Sequence, residues 1–252
     1  MTATREEADE FMKSGDFKAA VAAYDRVIRL QPEDKYALSN RALSNEKLEN
    51  FDAAYDDYSQ LIRMKFNSKK AYIGRARCSF ELENFKGVVM DANVVLQSEP
   101  NNVDARSLRG RASVKIGNNS TAIEDLSYVL DQRPNDVQAL VSRGAAWTRG
   151  GDGATGIRDF DKAIRIAPDL PVAHFNKAVV FYQYENFDAA IENFDEAIKN
   201  DPDYTDAYSR RGMSKLQSSF HTLSGACADF EKALSIEKGD ELATELIKNY
   251  CK

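Results

Sequence analysis

Small and apolar residues recur along this chain with a spacing of 34. Take Met1, Lys35, Lys69, Val103, Val137, Pro171 and Thr205 as the starts of successive frames. Position 8 is then always small: Ala8, Ala42, Ala76, Gly110, Gly144, Ala178 and Gly212. Position 20 reads Ala20, Ala54, Val88, Ala122, Gly156, Ala190 and, after a two-residue insertion, Ala226. Position 24 is Tyr24, Tyr58, Ala92, Leu126, Phe160, Phe194 and Phe230, large in all but one. Position 28 is Ile or Leu throughout, from Ile28 to Leu234. Positions 20, 24, 27 and 28 share one face of a helix. Position 8 belongs to an earlier helical segment, and the stretches between carry turn residues, as in Ser14-Gly15-Asp16 and Gly150-Gly151-Asp152. The pattern predicts a helix, a short turn and a second helix. Small residues at positions 8 and 20 let the two backbones approach. Pro32, Pro100, Pro134, Pro168 and Pro202 close the second helix, while Phe66 stands where repeat 2 lacks its proline.

A strict period of this length means stacked supersecondary units rather than one globular core. The residues at positions 8, 20, 24, 27 and 32 resemble the tetratricopeptide repeat family. The stretch from Asn186 to Ile198 is close to an ideal second half. Departures are local: position 27 is Val or Leu in the first four repeats, and Ala92 replaces an aromatic residue. The resemblance implies an all-α, right-handed superhelical solenoid. Its repeats would be 1–34, 35–68, 69–102, 103–136, 137–170, 171–204 and 205–238. Residues 239–252, with Leu242, Leu246, Ile247 and Tyr250 on one face, read as a C-terminal capping helix.

Composition narrows the function. The net charge of −6 disfavours nucleic acid as the main partner. No apolar run is long enough to enter and cross a membrane. The N-terminus has no basic region followed by an apolar one, and Thr4-Arg5-Glu6-Glu7 fits a helix capping box instead. Cys78, Cys227 and Cys251 fall in unrelated phases, which predicts unpaired thiols and an intracellular, cytoplasmic chain.

Candidate chemistry is sparse. Gly151-Asp152-Gly153-Ala154-Thr155-Gly156 matches a dinucleotide fingerprint, but falls on a turn between predicted helices. Asn118-Asn119-Ser120-Thr121 holds two overlapping glycosylation acceptors, also in a turn. His174 and His221 are far apart, with no acidic residue or cysteine at metal-ligand spacing. The expectation is a protein that is not an enzyme and needs no cofactor or metal.

The strongest polar signal is a pair of columns. Position 7 reads Glu7, Arg41, Arg75, Arg109, Arg143, Lys177 and Arg211. Position 23 reads Ala23, Asp57, Asp91, Asp125, Asp159, Asn193 and Asp229. Both lose their charge pattern in repeat 1 and weaken together in repeat 6. This predicts ion pairs within each hairpin, clamping its two helices.

The resemblance also implies a concave groove lined by the first helix of each repeat. Its residues would be Asn40, Lys70, Arg77, Arg111, Lys115, Arg149, Phe175, Asn176, Val179, Tyr182 and Arg210. The middle is basic and the later part aromatic. That suits a protein or peptide partner whose segment is acidic and apolar, bound by a scaffold or adaptor. Two alternatives share the architecture. One is a co-chaperone with a degraded carboxylate clamp, in which Asn40 and Lys70 match but Asp9 and Gly74 do not. The other is a structural subunit of a large assembly, using its outer face and ends.

Overall fold

The computed structural model describes residues 5–66, 68–219 and 222–251. Among them are fifteen helices and no strand. The helices are α1 (Arg5–Ser14), α2 (Phe17–Leu30), α3 (Lys35–Lys47), α4 (Phe51–Arg63), α5 (Ser68–Glu81), α6 (Phe85–Ser98), α7 (Val103–Lys115), α8 (Asn119–Gln132), α9 (Val137–Arg149), α10 (Gly153–Ile166), α11 (Pro171–Gln183), α12 (Phe187–Asn200), α13 (Thr205–Gln217), α14 (Leu223–Ile236) and α15 (Glu241–Tyr250). Each odd-numbered helix up to α13 forms a hairpin with the helix after it. The chain is an all-α helical-repeat solenoid. It divides into two compact units, Met1–Gln132 with α1–α8 and Arg133–Lys252 with α9–α15.

The hairpin turn is built the same way six times. Gly15, Glu49, Glu83, Gly117, Gly151 and Glu185 all have positive φ. Each sits just past a first helix, and the next amide bonds back five residues, as in Asp16 to the Phe11 carbonyl and Asn186 to the Phe181 carbonyl. This left-handed cap satisfies carbonyls that the helix end leaves open. The following Asp or Asn then caps the second helix. Asp16, Asn84, Asn118, Asp152 and Asn186 accept from the amide three residues on. Glycine takes the left-handed backbone without steric cost, whereas glutamate does not. Glu49→Gly is therefore expected to stabilise its hairpin by about 1 kcal/mol. Urea melts of the two proteins check this, and a loss of stability would contradict the turn analysis.

The seventh hairpin departs as its sequence predicts. Five residues separate α13 from α14, where the preceding turn, between α11 and α12, has three. The insertion shifts the phase by two, so Arg211 bonds Asp229 across 18 residues while Arg109 bonds Asp125 across 16. Thr222 caps α14 by accepting from the Gly225 amide. The family resemblance implies that Phe220 and Leu223 fold back onto the enlarged turn's hairpin, but Leu223 is 53% exposed because it opens the first turn of α14. Phe220, expected to pack with it, lies outside the described residues, as do Thr4 of the capping box and His221. At the end of α4, where repeat 2 has Phe66 rather than proline, Lys65 takes a positive φ and the Phe66 amide bonds the Leu61 carbonyl. A second left-handed cap thus does the work of the missing proline.

The core follows the columns. Ala8, Ala42, Ala76 and Ala178 are fully buried, and so are Tyr24, Phe160, Phe194 and Phe230. Where position 8 is glycine, the facing side chain fills the space. A Cβ on Gly144 would lie 2.7 Å from the Phe160 ring, and one on Gly212 would lie 2.4 Å from the Phe230 ring.

The ion-pair columns meet within hairpins. Arg41, Arg75, Arg109, Arg143 and Arg211 each grip the aspartate of their own hairpin with Nε and Nη2, at 2.5–3.0 Å. These aspartates are buried, Asp125 completely. The columns alone did not reveal a further link. Nη1 of Arg41 reaches back to Asp25 of the preceding hairpin, that of Arg75 to Ser59, that of Arg109 to Asn93 and that of Arg211 to Asp195. Lys177, lacking a fork, keeps the backward contact, to Asp161 at 2.8 Å. Asn193 turns to the Ala189 carbonyl instead. In the first hairpin the polarity is reversed: Arg26 of α2 bonds Glu7 of α1. One arginine thus closes its own hairpin and holds the one before it, and the ladder is structural.

Candidate functional site

Within each unit, the first helices of neighbouring hairpins touch one another: α1 with α3, α3 with α5, α5 with α7, and α9 with α11, α11 with α13. The second helices make no comparable contact with each other. The first helices therefore line the inner side of each unit, and the residues expected to meet a partner all belong to these helices. Asn40, Lys70, Arg77, Arg111 and Lys115 belong to the first unit. Arg149, Phe175, Asn176, Val179, Tyr182 and Arg210 belong to the second.

In the first unit, α3, α5 and α7 wall two contiguous clefts of about 230 and 370 Å³ that share Ile73, Arg77 and Asp104. Leu43, Phe66 and the exposed Lys70 line the first, while Phe80, Leu108 and Arg111 line the second. A polar bridge crosses the floor. Arg77 Nε and Nη2 donate to Glu46 at 2.9 and 3.0 Å, and the Tyr58 hydroxyl donates to the same carboxylate. Burial first, and then Glu46, push the Tyr58 hydroxyl well above its ordinary range, so it stays a donor. Tyr58 reaches this place because Gly74 has no side chain; a Cβ there would lie 2.3 Å from the ring.

Sequence reasoning missed Glu46, and it alters the expected charge. Arg77, although exposed, is paired with Glu46 in place, and Lys70 is a further exposed cation of this stretch. Arg111 lies over the Phe80 ring at 4.3 Å and Lys115 over Phe85 at 5.8 Å, so both charges rest on aromatic faces. A signal for the missed residue existed. Both repeats with tyrosine at position 24 carry an acid that its hydroxyl can reach, Asp9 for Tyr24 and Glu46 for Tyr58. Asn40 is drawn into the first of these pairs, its amide donating to Asp9 and to the Tyr24 hydroxyl, both at 3.1 Å. Arg5 turns to Asp34 at 3.6 Å and over Tyr36.

In the second unit the inner side is an aromatic strip. Phe175 stacks on Tyr204 at 4.8 Å and meets Phe194 edge-on at 5.6 Å, while Tyr182 meets Phe187 edge-on. Val179, Tyr182, Phe194, Arg210 and Met213 line a small pit. The Arg210 guanidinium lies over Phe175 at 5.8 Å, and its buried Nε has no hydrogen-bond partner among the described residues. Half-buried Asn176 follows Phe175 on α11, and Arg149 is exposed at the last position of α9.

The remaining candidates resolve simply. Gly151 and Asp152 form the turn before α10, and Asp152 caps that helix, so the glycine cluster is hairpin punctuation. Asn118 caps α8. His174 is buried and its Nε2 donates to the Pro168 carbonyl at 2.8 Å. Among the described residues no cluster of His, Cys, Asp and Glu could hold a metal, and no helix is long and apolar enough to cross a membrane.

The cysteine reading needs correction. Cys227 and Cys251 form a disulfide, with Cα atoms 5.7 Å apart, and only Cys78 is free, buried in the first unit. Their phases are unrelated because Cys251 lies past the repeats. It follows α15, which lies against α14.

Stacked helical hairpins with a lined inner side define a helical-repeat module. The sequence description of the tetratricopeptide repeat matches residues 5–69 and 96–171, and a second description of the same repeat matches 171–204. The chain belongs to the tetratricopeptide repeat family. No curated protein sequence matches it. Among solved structures, a tetratricopeptide repeat protein from Parabacteroides merdae is similar over 98% of this chain and 97% of its own, at 20% identity and a TM-score of 0.74. Another is the APC/C hetero-tetramer Cut9–Hcn1, matched over 97% of this chain and 55% of that one at 13% identity and a TM-score of 0.74. MamA is similar over 72% of this chain and 94% of its own, at 22% identity and a TM-score of 0.56. Likenesses at this identity show the shared fold.

Proposed function

We propose that this chain is a non-enzymatic adaptor of seven repeats, capped by 239–252, that holds a partner protein's acidic and apolar segment along its inner side. The observation that carries this reading is Arg210. A guanidinium over Phe175, with a buried Nε that has no hydrogen-bond partner among the described residues, sits beside Val179, Tyr182 and Met213. Buried donors are ordinarily satisfied, so the site favours an incoming acceptor flanked by apolar side chains. Lys70 beside Leu43 and Phe66 repeats the combination in the first unit. The carboxylate-clamp alternative loses support, because Asn40 is bonded to Asp9, Arg5 to Asp34, and the space at Gly74 is filled by Tyr58. The structural-subunit reading keeps one point in its favour: Met90, 69% exposed, and Val94 lie one turn apart on the outer side of α6.

A displayed random-peptide library panned on the full chain tests the three readings. Enriched peptides should combine acidic and apolar residues. Arg210→Glu, and Lys70→Glu with Arg111→Glu, should each weaken binding at least about tenfold, and added salt should do part of the same. Amidation of the peptide C-terminus should change little. A large loss on amidation with neutral charge reversals would restore the clamp. Binding that ignores both changes but is abolished by Met90→Asp would favour the structural subunit.

A further inference from the structure

The Cys227–Cys251 disulfide joins the two helices at the C-terminal end of the second unit. The helix it holds is a weak element. α15 has ten residues, too short to persist alone in water. It is seated by few side chains: Ala243 and Leu246 are buried, Ile247 is half-buried, and Leu242 and Tyr250 remain exposed. What it covers is apolar. Leu246, Ile247 and Cys251 lie in one cluster with Phe230, Met213 and Leu216, and Ala243 joins Tyr208 and Ala233 in another. Met213 also lines the pit beside Arg210, so the cover reaches the end of the aromatic strip. Cys227 and Cys251 are only half-buried, whereas Cys78 is fully buried and its thiol is pushed up to about 12, chiefly by burial.

We infer that the disulfide is a redox latch on α15: reduction releases the helix and uncovers the apolar end of the second unit around Met213, Leu216 and Phe230. The chemistry is thiol–disulfide exchange. The thiolate of a cellular thiol, such as a tripeptide thiol or a protein dithiol, attacks one sulfur of the bond. A second thiolate then resolves the mixed disulfide. Two electrons and two protons leave Cys227 and Cys251 as thiols, and the reductant leaves as its own disulfide. Closing a loop between cysteines 24 positions apart is what the bond contributes to holding the helix down. With it gone, the short helix retains only its small apolar seat and the Asp240 cap on the Ala243 amide. The inference is independent of which partner the inner side holds.

Hydrogen exchange followed by mass spectrometry on the full chain, oxidised and reduced, tests it. Amides of α15 should exchange at least about tenfold faster after reduction, and α9–α12 should not change. Cys251→Ser should behave as the reduced chain with or without reductant, which separates the bond from side effects of the reagent. An apolar dye should bind the reduced chain and Cys251→Ser more than the oxidised chain. A titration in mixtures of oxidised and reduced glutathione should show the bond opening within the range of cellular poise. Equal exchange of α15 in both states would overturn the latch. So would a bond that stays closed across the whole titration, which would make it a fixed staple, or one that fails to form under air.

Discussion

Replacing Asp125 by alanine is expected to destabilise the first unit by about 3 kcal/mol, the cost of breaking a buried ion pair from one side. Asp125 is completely buried and accepts three hydrogen bonds, two from Arg109 at 2.6 and 2.9 Å and one from Arg106 at 2.9 Å. The alanine variant leaves Arg109 with only its backward contact to Asn93. Both arginines are partly exposed and can take up water, which sets the loss at the lower end of the range for buried pairs. Asp125→Asn should lose less, since an amide oxygen still accepts a bond, and the chain itself carries asparagine at this place in the sixth hairpin. Helical arrays need not unfold in one step, so the loss is best read as lost hydrogen-exchange protection in α7 and α8. The effect should persist in high salt, because a buried pair is weakly screened. A loss below about 1 kcal/mol would mean that the ladder is an ordinary surface feature.

The ladder also shows why position 7 prefers arginine to lysine. A guanidinium has donors to spare: two close the hairpin and a third reaches the hairpin before it. Lys177 cannot do both, and it keeps the backward contact to Asp161 while Asn193 bonds within its own helix. The joint weakening of the columns in the sixth repeat is therefore one event. Once the fork is lost, a carboxylate at position 23 would be buried without its partner, and a neutral amide is the less costly occupant.

Much of this fold could be read from the order of residues, because its determinants are local and repeated. Pairing columns at positions 7 and 23 needed no coordinates, since their joint loss in two repeats identified the partners. The two-residue insertion near Gln217 was visible because Phe230, Ala233 and Leu234 resume the pattern out of phase. The inner side was less legible. Glu46 and Arg77, which meet there, stand 31 positions apart, and no periodic signal marks a charge that a neighbour cancels. Arg77 therefore read as a binding cation although Glu46 holds it, and Asn40 read as a ligand amide although Asp9 and Tyr24 occupy it. The disulfide escaped for a similar reason. Residues past the last repeat have no phase, so nothing in the pattern placed Cys251 beside Cys227.

The fifth hairpin is where helix packing should be most sensitive. Gly144 and Gly156 occupy positions 8 and 20, and a Cβ on Gly144 would lie 3.0 Å from the Gly156 carbonyl oxygen and 2.7 Å from the Phe160 ring. Phe160 is fully buried and fills the space that the glycines open. Phe160→Ala is expected to cost about 3–5 kcal/mol, the transfer of the ring plus the cavity it leaves. Gly144→Ala should cost about 1–3 kcal/mol through overpacking, although alanine is the better helix former. In the double variant the ring is gone and the new methyl group occupies part of the cavity. The combined loss should therefore fall short of the sum by at least about 1 kcal/mol, the coupling expected of residues in direct contact. The carbonyl of Gly156 still opposes the methyl group, so the rescue should be incomplete. Denaturant melts of the four proteins give the cycle, with hydrogen exchange in α9 and α10 locating the change. Strict additivity would show that glycine at position 144 is there for some reason other than the ring it faces.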